Sequence, residues 1–521
     1  MAALKEASRP RELPLDELLK GITCRALAGS ADVGGIIRMV TSDSREVVPG
    51  SLFVAVRGYC ADGHQFIDSA VRRGAVAVVC EELPGVIIPD CLYITVPDAR
   101  IALAEAARIF YGKASEQLLV IGVTGTNGKT TTAKLITAML NANGIASGYI
   151  GTNLCTIGER EISLDRTTPE AHGLHSLFSE MLEAGCRAVV MEVSSHALVL
   201  KRVYGIRFHA AVFTNLTMEH LDFHHSMHEY GSAKKLLFDA LGPEGFAVLN
   251  VDDPYAREMA ALVEPEKIYA CSLEGGVSPS LRGSRYFTAD ILESSIACSA
   301  IAIHFPDALV DMKVGLPGLF NVMNVLEAAA VGAGMGILPE EICRSLSEVA
   351  AVDGRMERVG DSTVGWSAFV DYAHTPDALF KVLDALNGLK AEGSRIVVVF
   401  GCGGNRDKGK RPEMGRIASE IADEVILTSD NPRDEEPETI LDEIEGGIAG
   451  GIASGHYRRI SDRSEAIRQG VSMLRPGDIL LVAGKGHERY QEIAGKKYFF
   501  SDQEQIKKFM QQHCSGYPER E

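Results

Sequence analysis

No apolar run in this 521-residue chain approaches the about 18 residues that a membrane-spanning helix needs. Met1 to Lys20 is polar and charged, with no apolar signal core, so a soluble cytoplasmic protein with no membrane span is expected. Positive charge is scarce as well. Lys and Arg number 52 against 70 Asp and Glu, a net charge of −18, which argues against a nucleic-acid partner. An anionic ligand in a local basic pocket is still compatible with that balance. The eleven cysteines include no C-x-x-C pair, the two nearest in sequence being Cys80 and Cys91, which suits a reducing compartment better than a disulfide framework. Internal repeats and low-complexity linkers are also missing. What is present is ordinary for a globular protein, 46% hydrophobic and 23% charged residues. The length suggests about three to four domains.

The most informative stretch is Val120-Ile121-Gly122-Val123-Thr124-Gly125-Thr126-Asn127-Gly128-Lys129-Thr130-Thr131-Thr132. An apolar run enters a Gly-rich turn, then Lys-Thr, then a helical pattern from Ala133 to Asn143. A strand, a phosphate loop and a helix N-terminus give this order, because glycines let backbone N–H groups approach phosphate oxygens and the helix dipole favours the anion. Lys129 is placed to reach the terminal phosphates and Thr130 to offer a hydroxyl to Mg²⁺. The loop is a variant of G-x-x-x-x-G-K-[ST], since Val123 stands where the first Gly belongs.

Three units follow in order. Residues 1–115 read as a small α/β domain, with Thr41 to Arg45 before a turn, a helix over Gln65 to Gly74, a buried strand over Ala75 to Cys80 and a helix over Ile101 to Tyr111. On spacing alone Ser44 and Arg45 read equally well as turn residues. Residues 116–350 alternate strands and helices, with strands at Leu118–Val123, Arg187–Glu192, Ala210–Thr214 and Phe246–Val251. That alternation predicts a mainly parallel sheet covered on both faces. Ser284 to Val314 reads as a local antiparallel excursion and Phe320 to Gly334 as a helix. Residues 351–521 restart the pattern, Rossmann-like but without G-x-G-x-x-G, with strands at Ala368–Tyr372, Arg395–Phe400, Glu424–Thr428 and Asp478–Val482. Glu445 to Gly455 reads as a Gly-rich loop.

Several strand ends carry chemistry. Glu192 closes a strand after the phosphate loop, where a Mg²⁺-linked carboxylate is wanted, although a solvated strand-end acid has the same pattern. His220, His224, His225 and His228 crowd one segment. Their spacing matches no closed zinc site and no cysteine accompanies them, so one His acting at Mg²⁺ is the better reading, with the rest as surface or capping residues. Periodicity alone makes Lys234 an ordinary helix-surface lysine. In the last unit, Asp371 to Pro376, Gly401 to Pro412, Ser429 to Arg433 and Ala483 to Glu488 all follow strands, on the edge where open α/β sheets bind ligands. Their Arg residues suit a carboxylate or phosphate.

Together, Gly125 to Thr131, Glu192 to His196, Asn215 with His220-Leu221-Asp222, Gly318 to Asn324, Gly354 to Glu357 and Asp371 to His374 closely resemble the Mur ligase family of peptidoglycan synthesis. The likeness runs from Ser42 to Glu488. It implies a uridine-nucleotide module at 1–115, a central ATP-binding domain at 116–350 and a Rossmann-like amino-acid-binding domain at 351–521. Asp430-Asn431-Pro432-Arg433 is similar to the signature of members that add meso-2,6-diaminopimelate to UDP-N-acetylmuramoyl-L-alanyl-D-glutamate. Lysine-adding members lack that Arg, which fits the distal carboxylate that diaminopimelate has and lysine does not. The rival readings are a lysine-adding ligase, a folylpolyglutamate-type ligase and a nucleotide-binding protein without ligase activity.

The resemblance also implies residue roles. Gly125, Thr126, Asn127, Gly128, Lys129, Thr130, Thr131, Asn321, Arg355, Asp371 and His374 are expected to bind ATP. Ser42, Ser44, Tyr59, Cys60, Ala61, Thr167, Thr168, Ser194 and Arg202 are expected at the UDP-sugar peptide. Arg406, Asp430, Asn431, Pro432, Arg433, Gly484 and Glu488 are expected at diaminopimelate. Thr130, Glu192, His220 and Lys234 match the ligands of two Mg²⁺ ions, Lys234 as a carbamate, because an ammonium would repel the metal. Lys129, Glu192, His220 and Lys234 form the catalytic set. A monomer is expected. Glu219, His225, Arg166 and Leu200 depart from the family's common residues, and closure of the last domain over ATP is expected.

Overall fold

The computed structural model describes residues 11–29, 35–58, 61–275, 282–360, 365–448 and 456–515. Its architecture is α/β, in three domains, each built on its own sheet. In the first, Met39–Thr41, Ser51–Val54, Ala75–Cys80 and Leu92–Thr95 pair in parallel, and Ala26–Ala28 closes the edge antiparallel to Leu92–Thr95.

The central sheet has eleven strands. Its parallel core runs Ser147–Gly151, Ala188–Glu192, Leu119–Thr124, Phe208–Phe213, Leu241–Asn250, Ile268–Ser272 and Arg285–Ser294. Antiparallel strands extend both ends. Ser299–Phe305 and Ala308–Val314 form the excursion that the sequence pattern marks. Leu154–Ile157 and Arg160–Ser163 extend the other end and carry no comparable signal, being short and partly polar.

Alternation along the strand Leu119–Thr124 explains how helices cover both faces. Ile121 and Val123 face the helices Lys129–Ala142 and Leu319–Gly334, while Val120 faces the helices Ala171–Glu183 and Met227–Asp239. Gly122, on the second face, leaves room for Phe208 and Leu237, which a Cβ there would meet at 2.8 Å. The helix after the loop starts at Lys129 rather than Ala133, so its first turn lies inside the motif itself.

The third sheet runs Glu357–Val359, Ser367–Asp371, Ile479–Ala483, Ile396–Phe400, Glu424–Leu427 and Tyr457–Arg459, parallel except at its first pair. Its central strands are buried on both faces, which is why they read as unbroken apolar runs. Ile296, in the turn of the antiparallel excursion, and Phe320 pack against this domain's core, so the second and third domains share a hydrophobic seam. The helix expected over Gln65–Gly74 is a 3₁₀ turn, Gly63–Phe66, running into Ile67–Arg72. Glu445 ends the helix Pro437–Glu445, and residues 449–455 of the expected loop lie outside the described residues.

Candidate active site

The phosphate loop has the backbone that the motif requires. Gly125 and Gly128 have φ of 151° and 86°, and a Cβ on Gly125 would stand 1.9 Å from Thr214 Oγ1. Thr214 donates to the Asn127 carbonyl (2.5 Å), and Asn127 N donates to Asn215 Oδ1 (3.0 Å), so the neighbouring strand end holds the loop open. Lys129 Nζ donates to the carbonyls of Gly125 (2.9 Å) and Thr126 (2.7 Å). Lys234 Nζ donates to the same Gly125 carbonyl (2.8 Å) and lies 4.3 Å from the Tyr230 ring centroid. Two ammonium groups therefore meet one carbonyl, and among the described residues neither has an ion-pair partner. Burial, and for Lys234 also the neighbouring Lys129, push both below the usual lysine range. Far from being a surface lysine, Lys234 is 1% exposed; its neighbour Lys235 takes the outer face and pairs with Asp239.

Glu192 is fully buried at the centre of a polar knot. Its Oε1 accepts from Thr130 Oγ1 (2.9 Å), the Tyr149 hydroxyl (2.6 Å) and Thr152 N (3.1 Å), and its Oε2 accepts from Thr152 Oγ1 (3.2 Å). Arg355 also donates to Thr130 Oγ1 (2.9 Å) and stacks 4.5 Å from the Tyr372 ring, bringing the third domain onto the loop. Thr167 Oγ1 lies 3.2 Å from Thr152 Oγ1. Thr168 Oγ1 bonds the Glu192 carbonyl (2.9 Å) and Ser194 N (3.1 Å), and Arg202 donates to the Thr168 carbonyl (3.2 Å). Thr167, Thr168, Ser194 and Arg202 thus form one patch beside Glu192.

The histidine segment is compact. His220 and His225 have left-handed backbones, φ 56° and 59°, a conformation that favours glycine. His196 lies against His220 (ring centroids 4.8 Å), and His224 bonds Ser195 (2.8 Å) and stacks on Tyr230. Burial lowers His220 and takes His196 and His224 down to about 4. Among the described residues, no cluster of three or more His, Cys, Asp or Glu forms a metal cage. Thr130 and Glu192 instead offer a hydroxyl and a carboxylate, the hard oxygen donors that suit Mg²⁺.

From the third domain, Asp371 accepts from Met356 N (2.6 Å) and Ala373 N (2.7 Å), and His374 faces Glu219 at 3.7 Å. Burial lowers His374 to about 4. Burial opposes ionisation of Glu219, but His220, His374, Lys129 and Lys234 outweigh it and hold the carboxyl below its usual range. Asn321 and Asn324 lie buried behind the loop on Leu319–Gly334.

The acceptor loops meet on the parallel edge of the third sheet. Lys485, fully buried, donates to Asn431 Oδ1 (2.9 Å) and Glu488 Oε2 (3.2 Å), with Asp430 Oδ1 at 3.5 Å. Asn431 donates to Glu488 (2.9 Å). Arg433 has φ 52°, donates to the Gly404 carbonyl (2.7 Å) and lies 3.3 Å from Glu492. Pro432 shapes the turn before it, since its carbonyl packs on Gly404; Gly484 has φ 114° beside Asp430. Arg406 is exposed on the Gly401–Pro412 loop.

In the first domain, Ser42 and Ser44 are partly exposed on the turn after Met39–Thr41, and Ala61 is exposed; Tyr59 and Cys60 lie outside the described residues. Glu46, on that turn, approaches His172 of the central domain at 3.8 Å.

Sequence reasoning missed several groups. Asp377 accepts from Asn127 Nδ2 (2.7 Å) and Thr217 Oγ1 (3.2 Å), tying the third domain to the loop. A signal existed: it follows Pro376 at a helix start that Thr375 caps. Tyr149 and Thr152 carry no such signal, because their roles depend on partners from distant strands. Lys485 and His487, whose Nε2 lies 3.2 Å from the Thr152 carbonyl, belong to the strand-end loop Ala483 to Glu488, but nothing in its spacing singles them out.

This fold and loop geometry define an α/β ligase-type nucleotide protein, and comparison with known proteins places it. Models of the Mur ligase middle domain, the Mur ligase glutamate ligase domain and the Mur ligase family catalytic domain match residues 123–332, 354–486 and 36–111. The chain belongs to the Mur ligase family. It is 59% identical over 510 residues to the UDP-N-acetylmuramoyl-L-alanyl-D-glutamate--2,6-diaminopimelate ligase of Chlorobium phaeobacteroides, covering 98% of this chain and 99% of that one. It is 57% identical over 491 residues to the ligase of the same name from Chlorobaculum tepidum, covering 94% and 96%. A solved structure of a ligase of that name superposes with a TM-score of 0.67 at 32% identity, covering 96% of this chain and 99% of that one.

Proposed function

We propose that this chain is an ATP-dependent amide ligase that joins meso-2,6-diaminopimelate to the D-glutamate γ-carboxylate of UDP-N-acetylmuramoyl-L-alanyl-D-glutamate. The observation that carries the specificity is Arg433. Its Nη1 donates to the Gly404 carbonyl and its Nε lies 3.3 Å from Glu492, which leaves Nη2 without a partner among the described residues, on the same loop as Asn431 of the Lys485–Asn431–Glu488 cluster. A guanidinium presented in this way suits a carboxylate at the far end of an amino acid.

The γ-phosphoryl of ATP passes to the γ-carboxylate, forming an acyl phosphate; the diaminopimelate amine then attacks the acyl carbon, and phosphate leaves. Lys129 exchanges its carbonyl partners for phosphate oxygens, and the N–H groups from Gly128 to Thr131 cradle the same anion. Asn321, Arg355, Asp371 and His374 hold the nucleotide between the second and third domains. Thr130 and Glu192 would hold one Mg²⁺, and His220 with Lys234 a second, supplying charge neutralisation at the transferring phosphoryl group. Lys234 serves there as its carbamate; a depressed ammonium pKa favours the neutral amine that reacts with CO₂. Ser42, Ser44, Ala61, Thr167, Thr168, Ser194 and Arg202 position the UDP-sugar peptide, and Arg406, Gly484 and Glu488 assist Arg433. The protein acts in the cytoplasm on small molecules; no helix among the described residues is long and apolar enough to cross a membrane.

The test is a ligation assay with ATP, Mg²⁺ and the UDP-muramoyl dipeptide, offering meso-diaminopimelate or L-lysine. Amide with diaminopimelate alone is expected. A preference for lysine would overturn the role of Arg433, and ATP hydrolysis without amide would overturn the ligase.

A further inference from the structure

Behind the phosphate loop, the helix Leu319–Gly334 buries one carboxyl group, Glu327, the one ionisable side chain it carries. It lies one turn beyond Asn324, which lies one turn beyond Asn321, so the three share a face. They form a chain of hydrogen bonds with a readable direction. Asn321 Nδ2 lies 2.7 Å from the Pro317 carbonyl, Asn324 Nδ2 lies 3.1 Å from Asn321 Oδ1, and Thr132 Oγ1 lies 3.2 Å from Asn324 Oδ1 and 2.9 Å from Glu327 Oε2.

The Pro317 carbonyl can only accept, so it sets the polarity of the whole chain. Asn321 must present its NH₂ to Pro317 and therefore its oxygen to Asn324. Asn324 must then present its NH₂ to Asn321 and its oxygen to Thr132. Thr132 has one hydroxyl hydrogen and faces two oxygens, Asn324 Oδ1 and Glu327 Oε2, so both contacts can be full hydrogen bonds only if the carboxyl group supplies a hydrogen of its own. We propose that Glu327 is a protonated carboxylic acid and a positioning residue, closing a one-way relay that presses the Asn324 carbonyl against Gly128 of the phosphate loop. The contact is close: a Cβ on Gly128 would stand 2.6 Å from Asn324 Oδ1.

The surroundings agree. Glu327 Oε1 has no hydrogen-bond partner among the described residues, a heavy cost for an anion and a small one for a neutral acid. Among the described residues no cation pairs with Glu327, and the titratable group facing it is the buried thiol of Cys271. Burial raises the Glu327 carboxyl well above the usual range. The relay differs from the Thr130–Glu192 knot, which holds the other helix, Lys129–Ala142, through Thr130 with an acid that accepts every bond it makes. The inference rests on the proposed nucleotide role of the loop only for its effect on affinity; the protonation state stands apart.

The whole chain and its Glu327→Gln and Glu327→Met variants test it. The wild-type infrared spectrum should contain a protonated carboxyl C=O band that Glu327→Gln removes. Because the wild type must take up a proton on folding, Glu327→Gln should gain stability over it, and the gain should shrink as pH falls from about 8 to about 5. ADP affinity should stay within about two-fold in Glu327→Gln, whose amide can donate to Thr132, and fall about ten-fold in Glu327→Met, which cannot. No such band, a stability difference independent of pH, or equal ADP affinity in wild type and Glu327→Met would each overturn the proposal. Failure of the wild type to bind ADP would instead overturn the nucleotide reading, with the band and the pH dependence still deciding protonation.

Discussion

The two ligand-facing sheet edges treat buried cations in opposite ways. At the central edge, Lys129 and Lys234 both lean on the Gly125 carbonyl without an ion-pair partner among the described residues, and burial depresses both. At the third-domain edge the cations are matched. Arg463 pairs bidentately with Asp502, Arg411 with Glu435 and Glu443, and Lys485 with Asp430 and Glu488. An unmatched buried cation is costly, so Lys129 marks a place where an anion is awaited and Lys234 one where the charge is given up in forming the carbamate; matched cations form a scaffold. Arg463 shows the scaffold role, because its fork also reaches the carbonyls of Ser429 and Ala483, tying together the two strand ends that carry the acceptor loops.

If that contrast holds, Lys129→Met should have the largest effect. Loss of an unmatched phosphate cation should lower kcat for ligation by about 10²–10³-fold or more, with little loss of folding stability. A stability loss as large as the activity loss would erase the distinction. Next, Arg433→Ala should lower kcat/KM for diaminopimelate by about 10²–10³-fold, the size of a truncated charge pair, and leave turnover of lysine nearly unchanged.

On the scaffold side, Asp502→Asn leaves Arg463 buried and uncompensated, and should cost about 3–5 kcal/mol in denaturant unfolding. It should also raise KM for diaminopimelate more than KM for ATP. A smaller effect comes from His175, which is fully buried without a hydrogen-bond partner among the described residues and is held down to about 3 by burial and the nearby Arg108. Its folded pKa lies below the unfolded value of about 6.5, so the unfolded chain binds the extra proton first. The stability it confers is complete above that value and is lost as pH falls toward 3. His175→Phe should flatten that part of a stability–pH profile. The smallest effect is expected for Lys235→Ala, which removes only a surface pair with Asp239 and should cost about 0.3–0.5 kcal/mol. A ligation loss with this variant like that of Lys234→Ala would reverse the assignment of the two lysines.

Much of this layout was legible in the chain. The strand, loop and helix around Lys129 are contiguous, so local spacing reveals them, and parallel strands buried on both faces announce themselves as apolar runs. The antiparallel pair Leu154–Ile157 and Arg160–Ser163 was not legible, since short polar strands resemble loops until a neighbour pairs with them. Neither was the environment of Lys234. Its helix position alone suits a surface residue, and only packing against Tyr230 and Gly125 buries it.

Local sequence therefore determined which segments could hold a phosphate or a carboxylate, because glycine freedom, helix starts and strand ends are properties of neighbouring residues. Tertiary structure alone decided which charged groups stand unmatched and which are neutral. Lys129 with Lys234, Arg463 with Asp502 and Glu327 with Thr132 each join residues far apart in the chain. Their ionisation depends on desolvation and on partners that exist only once the sheets and helices have packed.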